Sequence, residues 1–290
     1  MNALGPARPL KGILLVVLAT LAFASADVLT KRLTQNHPIP VVIAVRYLVN
    51  LGLLLFFLFP RMGRNLWRVQ RPGLVFVRGF CLALASLTMG LALRLMPVGE
   101  TVAIVYLSPF AVMLLAIPLL GEKVSPIGWA WAAMGFAGVL LILRPGGGLD
   151  PWGVAFALMN ACLATGYHLL TRKLAGHEST MAMLFHTALV GAVFFGIGSL
   201  TSLDQLKFSG PDMAWMVALG VMATLGHFLF TAAYREAPAS LLAPVNYLHL
   251  VWAAGLGVVI FGHTPDTISL SGMALVCASG IANTVRAKRA

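Results

Sequence analysis

Two polar clusters interrupt long apolar runs. Tyr106, Ser108 and Pro109 stand together in one run, and Pro244, Asn246, Tyr247 and His249 stand together in another. A proline inside a helix has no N–H and leaves the carbonyl four residues back without its donor. Pro109 therefore frees the carbonyl of Val105, and Pro244 that of Ser240. A freed carbonyl beside a tyrosine and a serine can accept from an ammonium group. Tyr106, Ser108, Tyr247 and His249 are expected to bound a binding site on this ground. The competing reading is that the prolines only kink helices for packing.

Ionisable residues within apolar runs form a second group: Asp27, Arg46, Glu100 and His168. In lipid each needs a partner or a wet cavity. Asp27 precedes Lys31 by four residues, the spacing of a helical ion pair. Arg46 needs a counter-ion, and Asp27 or Glu100 is expected to supply it. Alternatively, either carboxylate carries protons. Arg78 is expected to snorkel its head to the headgroups. His168, His186, His227 and His249 each fall in a different run, so no pair has the i,i+4 spacing of a metal site, and no metal is expected. A histidine can shuttle protons near neutral pH, against the competing reading of a satisfied structural hydrogen bond, and His249 is the one singled out, on its depth and its place in the repeat. Ser86, Met89, Asn160, Tyr167 and His227 complete the expected lining.

Motifs for other chemistry are missing. The chain has no H-E-x-x-H and no Walker A sequence. It has no G-x-S-x-G elbow. A Ser108–His249 nucleophile pair would lack an acidic orienter. An enzyme is therefore the remote alternative, and no cofactor is expected.

The elements that must position these residues follow from composition. Of 290 residues, 59% are hydrophobic and 10% charged, with a mean hydropathy of +0.90. Soluble domains carry about 45–50% apolar and about 25% charged residues. A polytopic all-α membrane protein is expected, and a disulfide scaffold or disordered regulator is excluded. The net charge of +11 does not point to nucleic acid, because the basic residues sit in short loops. Cys81, Cys162 and Cys277 lie inside apolar runs and read as small packing residues.

Ten spans are predicted, at about 12–31, 39–59, 73–94, 97–119, 126–143, 151–171, 179–200, 212–234, 238–261 and 268–286. The first is too long for a cleaved signal peptide. With the N-terminus cytoplasmic, thirteen Lys and Arg fall inside and five outside, with Arg46 and Arg78 within spans. That asymmetry predicts a multi-pass protein with both termini in the cytoplasm.

The chain also aligns with itself at an offset of 141 residues. Leu29-Thr30-Lys31-Arg32-Leu33 meets Leu170-Thr171-Arg172-Lys173-Leu174. Ala92, Arg94 and Pro97 meet Ala233, Arg235 and Pro238, and Tyr106-Leu107 meets Tyr247-Leu248. Two repeats are expected, at 1–145 and 146–290. Five spans per repeat is odd, so the copies lie in opposite orientations, the plan of many secondary transporters. Two oppositely oriented copies can exchange conformations, which moves the opening of a shared cavity from one side to the other. Pro97, Pro109, Pro238 and Pro244 are the expected hinges.

In ten spans, short loops and the run Ala92-Leu93-Arg94-Leu95-Met96-Pro97, Glu100-Thr101, Tyr106-Leu107-Ser108-Pro109-Phe110, Gly121-Glu122-Lys123 and Gly135-Phe136-Ala137-Gly138, the chain resembles the drug/metabolite transporter superfamily in its ten-helix EamA-type exporter branch. The resemblance implies a cavity lined by the first, third, fourth, sixth, eighth and ninth helices, with the fifth and tenth outside. It implies export of small metabolites across a bacterial inner membrane. Amino acids are the favoured substrate class; drugs or sugar- and nucleotide-type metabolites are the alternative. Exporters of aromatic amino acids carry an aromatic residue where Ser108 stands, which points here to broader amino-acid selectivity. The expected partners are the small-molecule substrate and the lipid bilayer, without nucleic acid, and the working unit is a monomer.

Overall fold

A computed structural model describes residues 9–120, 126–144, 148–174, 177–205, 209–236, 242 and 245–287. Among them every long element is a helix. The helices are α1 (Pro9–Asn36), α2 (Ile39–Met62), α3 (Pro72–Leu95), α4 (Val98–Val105), α5 (Leu107–Leu120), α6 (Pro126–Ile142), α7 (Pro151–Leu174), α8 (Thr180–Ser199), α9 (Gly210–Glu236), α10 (Leu248–Phe261) and α11 (Thr267–Ala287). Six helical stretches are long and apolar enough to cross a membrane, and four shorter apolar ones complete the ten expected spans.

The breaks follow backbone chemistry. Pro38 begins α2 and Pro97 begins α4, because proline fits where an N–H has no helical partner. The fourth span is two helices, α4 and α5, parted at Tyr106. Pro109 explains the break, since it cannot donate to the Val105 carbonyl. The helix is interrupted again before α10 at Tyr247, 141 residues later. Pro238 and Pro244 lie outside the described residues. Gly262 closes α10 in the left-handed region at φ 68°, its N–H on the Val258 carbonyl at 2.9 Å, a conformation that suits a residue without Cβ.

Burial is inverted relative to a soluble protein. Phe56, Trp152 and Val259 are more than 70% exposed, while Glu100, Thr101, Arg78 and Asn160 are buried. An apolar exterior of this extent belongs against lipid. Inside, α1 packs on α9, α3 on α7, α2 on α8 and α6 on α11. A shift of 141 residues carries α1 onto α7 and α9 onto α3, so it exchanges the first two of these pairs. The α6–α11 contact depends on small residues. A Cβ on Gly272 would stand 2.5 Å from the Gly138 carbonyl oxygen. Close backbone approach of this kind gives helices their contact where water cannot drive it.

Candidate functional site

A cavity of about 840 Å³ lies among α1, α3, α4, α5, α7, α8, α9 and α10. That volume is within the range of small-molecule pockets, roughly 300–1,000 Å³. Among the described residues, none from α2, α6 or α11 lines it. The helices implied by the family resemblance do line it, joined by the start of α8. At one end the lining consists of Thr171 at the end of α7, Ser179, Thr180 and Met181 around the start of α8, and Thr231 near the end of α9; Ser179 and Thr180 are exposed, so this end is taken as the mouth.

Of the expected lining residues, Tyr106, Ser108, Met89, Tyr167, His227 and His249 face the cavity, as do Pro109 and His168. Tyr106 is fixed by its hydroxyl, which donates to the Asn246 carbonyl at 2.8 Å, and by the Tyr247 ring at 5.0 Å. This links the two helix interruptions to each other. Ser108 is buried, with Thr165 Oγ1 3.4 Å from its hydroxyl oxygen. His249 Nε2 is 2.9 Å from Asp27 Oδ2, an ion pair or hydrogen bond that joins α10 to α1.

Other expected residues sit elsewhere. Tyr247 stands behind Tyr106 and does not line the cavity. Asn160 donates to the Ala85 carbonyl and ties α7 to α3. Ser86 accepts from Arg46 at 2.6 Å and meets the Tyr47 hydroxyl at 2.8 Å. Arg46 also lies over the Tyr47 ring, 4.9 Å from its centre. Its expected counter-ions are therefore engaged elsewhere: Asp27 is with His249, and Glu100 is with His263 at 3.6 Å. Nor does Asp27 pair with Lys31. The Lys31 ammonium instead donates to the Leu93 and Met96 carbonyls at 2.8 and 2.7 Å, capping the end of α3. The last-turn carbonyls of a helix carry partial negative charge and lack intrahelical partners, so a cation fits there.

Arg78 is the largest departure. It does not snorkel: it is 3% exposed and lines the cavity. The guanidinium is held by α7 and α8, through Thr171, Tyr167, Thr187 and the Met183 carbonyl.

Sequence reasoning also missed Phe23 and Phe230. The Phe23 ring is 5.0 Å from His227 and 6.2 Å from both Phe230 and His249. These rings make an aromatic wall. The signal was present in the helical period. Phe23 precedes Asp27 by one turn, and Phe230 follows His227 by three residues, so each shares a helix face with a residue already singled out. Glu178 was missed as well. Its carboxylate accepts from the Gln70 N–H at 2.9 Å and the Arg71 N–H at 2.6 Å, just before α3 begins. A carboxylate at a helix N-terminus meets unpaired N–H groups and the positive end of the dipole.

Comparison with known proteins gives a consistent class. The EamA-like transporter family model matches residues 10–144 and again residues 151–284. A riboflavin transporter of Rhizobium johnstonii is 27% identical over 96% of this chain and 92% of its own length. A pseudopaline exporter of Pseudomonas aeruginosa is 26% identical, covering 93% and 95%. An S-adenosylmethionine uptake transporter of Rickettsia felis is 28% identical, covering 92% and 90%. A crystal structure that is 23% identical superposes with a TM-score of 0.70 over 96% of this chain and 98% of its own, which speaks to the fold.

Proposed function

The chain belongs to the EamA-like transporter family, and from that premise we propose that it exports small metabolites, amino acids foremost, across a bacterial inner membrane by alternating access. That it is a multi-pass membrane transporter and not an enzyme follows from the family itself. The observation that carries the rest is the cavity. It is walled by helices from both halves of the chain, and it runs from the exposed Ser179 and Thr180 at one end to the buried Val102 at the other, which we read as an open and a closed end. We take residues 1–145 and 146–290 as two inverted copies of one five-span unit. The reciprocal pairing of α1 with α9 and α3 with α7 supports this, as do the matched interruptions at Tyr106 and Tyr247. Under that reading the closed end can open as the mouth closes, with Pro97 and Pro109 as bending points.

The charge asymmetry of the loops supports a cytoplasmic N-terminus. In that orientation the mouth faces the cytoplasm, the loading side for an exporter. The cavity wall carries a cation, and a carboxylate stands just behind it. Arg78 lines the cavity, and the Asp27 carboxylate reaches it through His249. A zwitterion matches such a surface, which favours amino acids and their derivatives. The volume and the aromatic wall favour a second reading, a larger metabolite with a planar ring, as in the riboflavin and S-adenosylmethionine carriers among the relatives.

Counterflow in proteoliposomes tests both. Vesicles loaded with mixed amino acids should accumulate labelled amino acids; labelled riboflavin and S-adenosylmethionine form the second arm. Movement in the second arm alone replaces amino acids with the larger class. Retention of every solute overturns the carrier.

A further inference from the structure

A guanidinium has five N–H donors in a rigid fork and no acceptor. In Arg78 four of them are used. Nε donates to Thr171 Oγ1 at 2.7 Å, one terminal nitrogen to Thr187 Oγ1 at 2.8 Å and to the Met183 carbonyl at 3.1 Å, and the other to the Tyr167 hydroxyl at 2.7 Å. One N–H remains without a partner among the described residues. All four acceptors are neutral. Arg78 has no carboxylate partner among the described ion pairs and hydrogen bonds: Asp27 is with His249, Glu100 with His263, Asp150 with the Gly153 N–H, Glu178 with the start of α3, Asp212 with Ser209 and His37, Glu236 with Lys11 and Asp266 with Arg144. The Tyr167 ring lies under the guanidinium, 4.4 Å from its centre, and steadies the plane of the fork.

A buried cation normally has a charged partner. Here it has a fixed orientation, a spare donor and a place in the wall of a cavity instead. Resting on the carrier reading above, we propose that Arg78 is the docking point for an oxyanion of the transported molecule. That group is a carboxylate in an amino acid or a phosphate in a nucleotide-type metabolite. The oxyanion supplies the missing charge and takes the spare N–H. The aromatic wall of Phe23, Phe230 and His227 then receives the rest of the molecule. Guanidinium–oxyanion hydrogen bonds are stronger than those to neutral acceptors, so the cargo gains what the four neutral partners cannot give. A molecule without an oxyanion leaves the site as it stands and binds only through the wall.

Thermal stabilisation of the purified full-length protein by matched ligands tests the anchor. One pair is a mixture of L-amino acids against the corresponding amino-acid amides; the other is adenosine monophosphate against adenosine. In one pair the member that carries the oxyanion should stabilise the wild type at a concentration at least about tenfold below the member that lacks it, as loss of a charge-assisted bond predicts. The amino-acid pair identifies a carboxylate, the nucleotide pair a phosphate. Arg78→Gln should remove the preference, and Arg78→Lys, which keeps the charge but not the fork, should restore part of it. Arg78 also joins α3 to α7 and α8, so if the Gln variant folds poorly the wild-type pairs decide. If in neither pair the oxyanion-bearing member outperforms the other on the wild type, or if a folded Arg78→Gln protein keeps the preference, Arg78 is not the anchor. Transport in liposomes without anion preference overturns the anchor alone. Anion-selective binding without translocation supports the anchor and overturns the carrier.

Discussion

At the end of the cavity near Lys31, polar ties run between helices on opposite sides of the pocket; at the end near Thr171 and Thr180, they run within each side. Lys31 on α1 reaches the carbonyls of Leu93 and Met96 at the end of α3. Glu100 on α4 meets His263 beyond α10. Both ties cross from the α1–α9–α10 side to the α3–α4–α7–α8 side. At the mouth, Lys11 pairs with Glu236 at 2.6 Å, which joins α1 to α9. Glu178 and Arg78 join α3 to α7 and α8. Among the described residues none of these mouth-side ties crosses the opening. The difference teaches that a polar residue near a helix end closes or frees a face according to which helix it reaches, and its mere presence there decides neither.

The α6–α11 pair stands outside this contrast and sharpens it as a control. Gly272→Leu would drive a side chain into the Gly138 carbonyl. Overpacking costs about 1–3 kcal/mol, and backbone gives way less readily than a side chain, so about 3 kcal/mol of destabilisation is expected. Tm should fall sharply. Labelling of the cavity in the molecules that remain folded should not change. Altered labelling would mean that the outer pair does steer the two faces.

Lys31→Met attacks the crossing ties directly. It removes two hydrogen bonds from a charged donor, each worth about 1.5–3 kcal/mol. A shift of 1.4 kcal/mol changes a two-state ratio about tenfold, so at least a tenfold rise in openings of the closed face is expected. A cysteine at Met89, in a background free of Cys81, Cys162 and Cys277, reports it. With Lys31 present, a membrane-impermeant maleimide should label that cysteine from the mouth side only. In the Lys31→Met variant it should label from both sides. One-sided labelling in the variant would remove Lys31 from the closure.

Much of this architecture was legible in the chain because it follows local rules. Apolar run length marks the spans, and Pro109 marks the break at Tyr106 without any tertiary information. The cavity helices and the roles of α6 and α11 as outer helices also agree with what the family resemblance implied. Arg78 departs from the snorkelling expectation because depth along a helix does not give the direction in which a residue faces. Arg78 and Met89 are eleven residues apart, about three turns, and their directions differ by about 20°. The Met89 face was already expected to line the cavity, so Arg78 belonged there too. The partners of Asp27, Arg46 and Glu100 were not legible at all. His249, Ser86 and His263 reach them across helix packing, which spacing along one helix does not encode. Lys31 illustrates the same limit. Its spacing from Asp27 is that of an ion pair, yet the unpaired carbonyls of α3 compete successfully for it.

The smallest expected effect lies at the rim of the closed face, where Arg144 meets Asp266 at 2.5 Å. Asp266 is solvent-exposed and has two tasks. One carboxylate oxygen accepts from the Ser269 N–H at 2.8 Å and caps the start of α11; the other accepts from Arg144. The Ser269 N–H first, and Arg144 after it, hold this carboxyl below its ordinary value. A carboxyl lowered on folding stabilises the fold above its unfolded pKa, and that contribution is lost as pH falls through the lowered value. Asp266→Asn keeps an oxygen for the Ser269 N–H and removes the charge. The variant should therefore melt slightly below the wild type at neutral pH, and the two Tm values should converge as the medium becomes more acidic than the ordinary carboxylate range. Exposed ion pairs are screened by salt, so the gap at neutral pH should also shrink as ionic strength rises. A gap that persists in both acid and high salt would mean that the cap, and not the ion pair, is what the substitution disturbs, and α6 and α11 would then be held together by their packing alone.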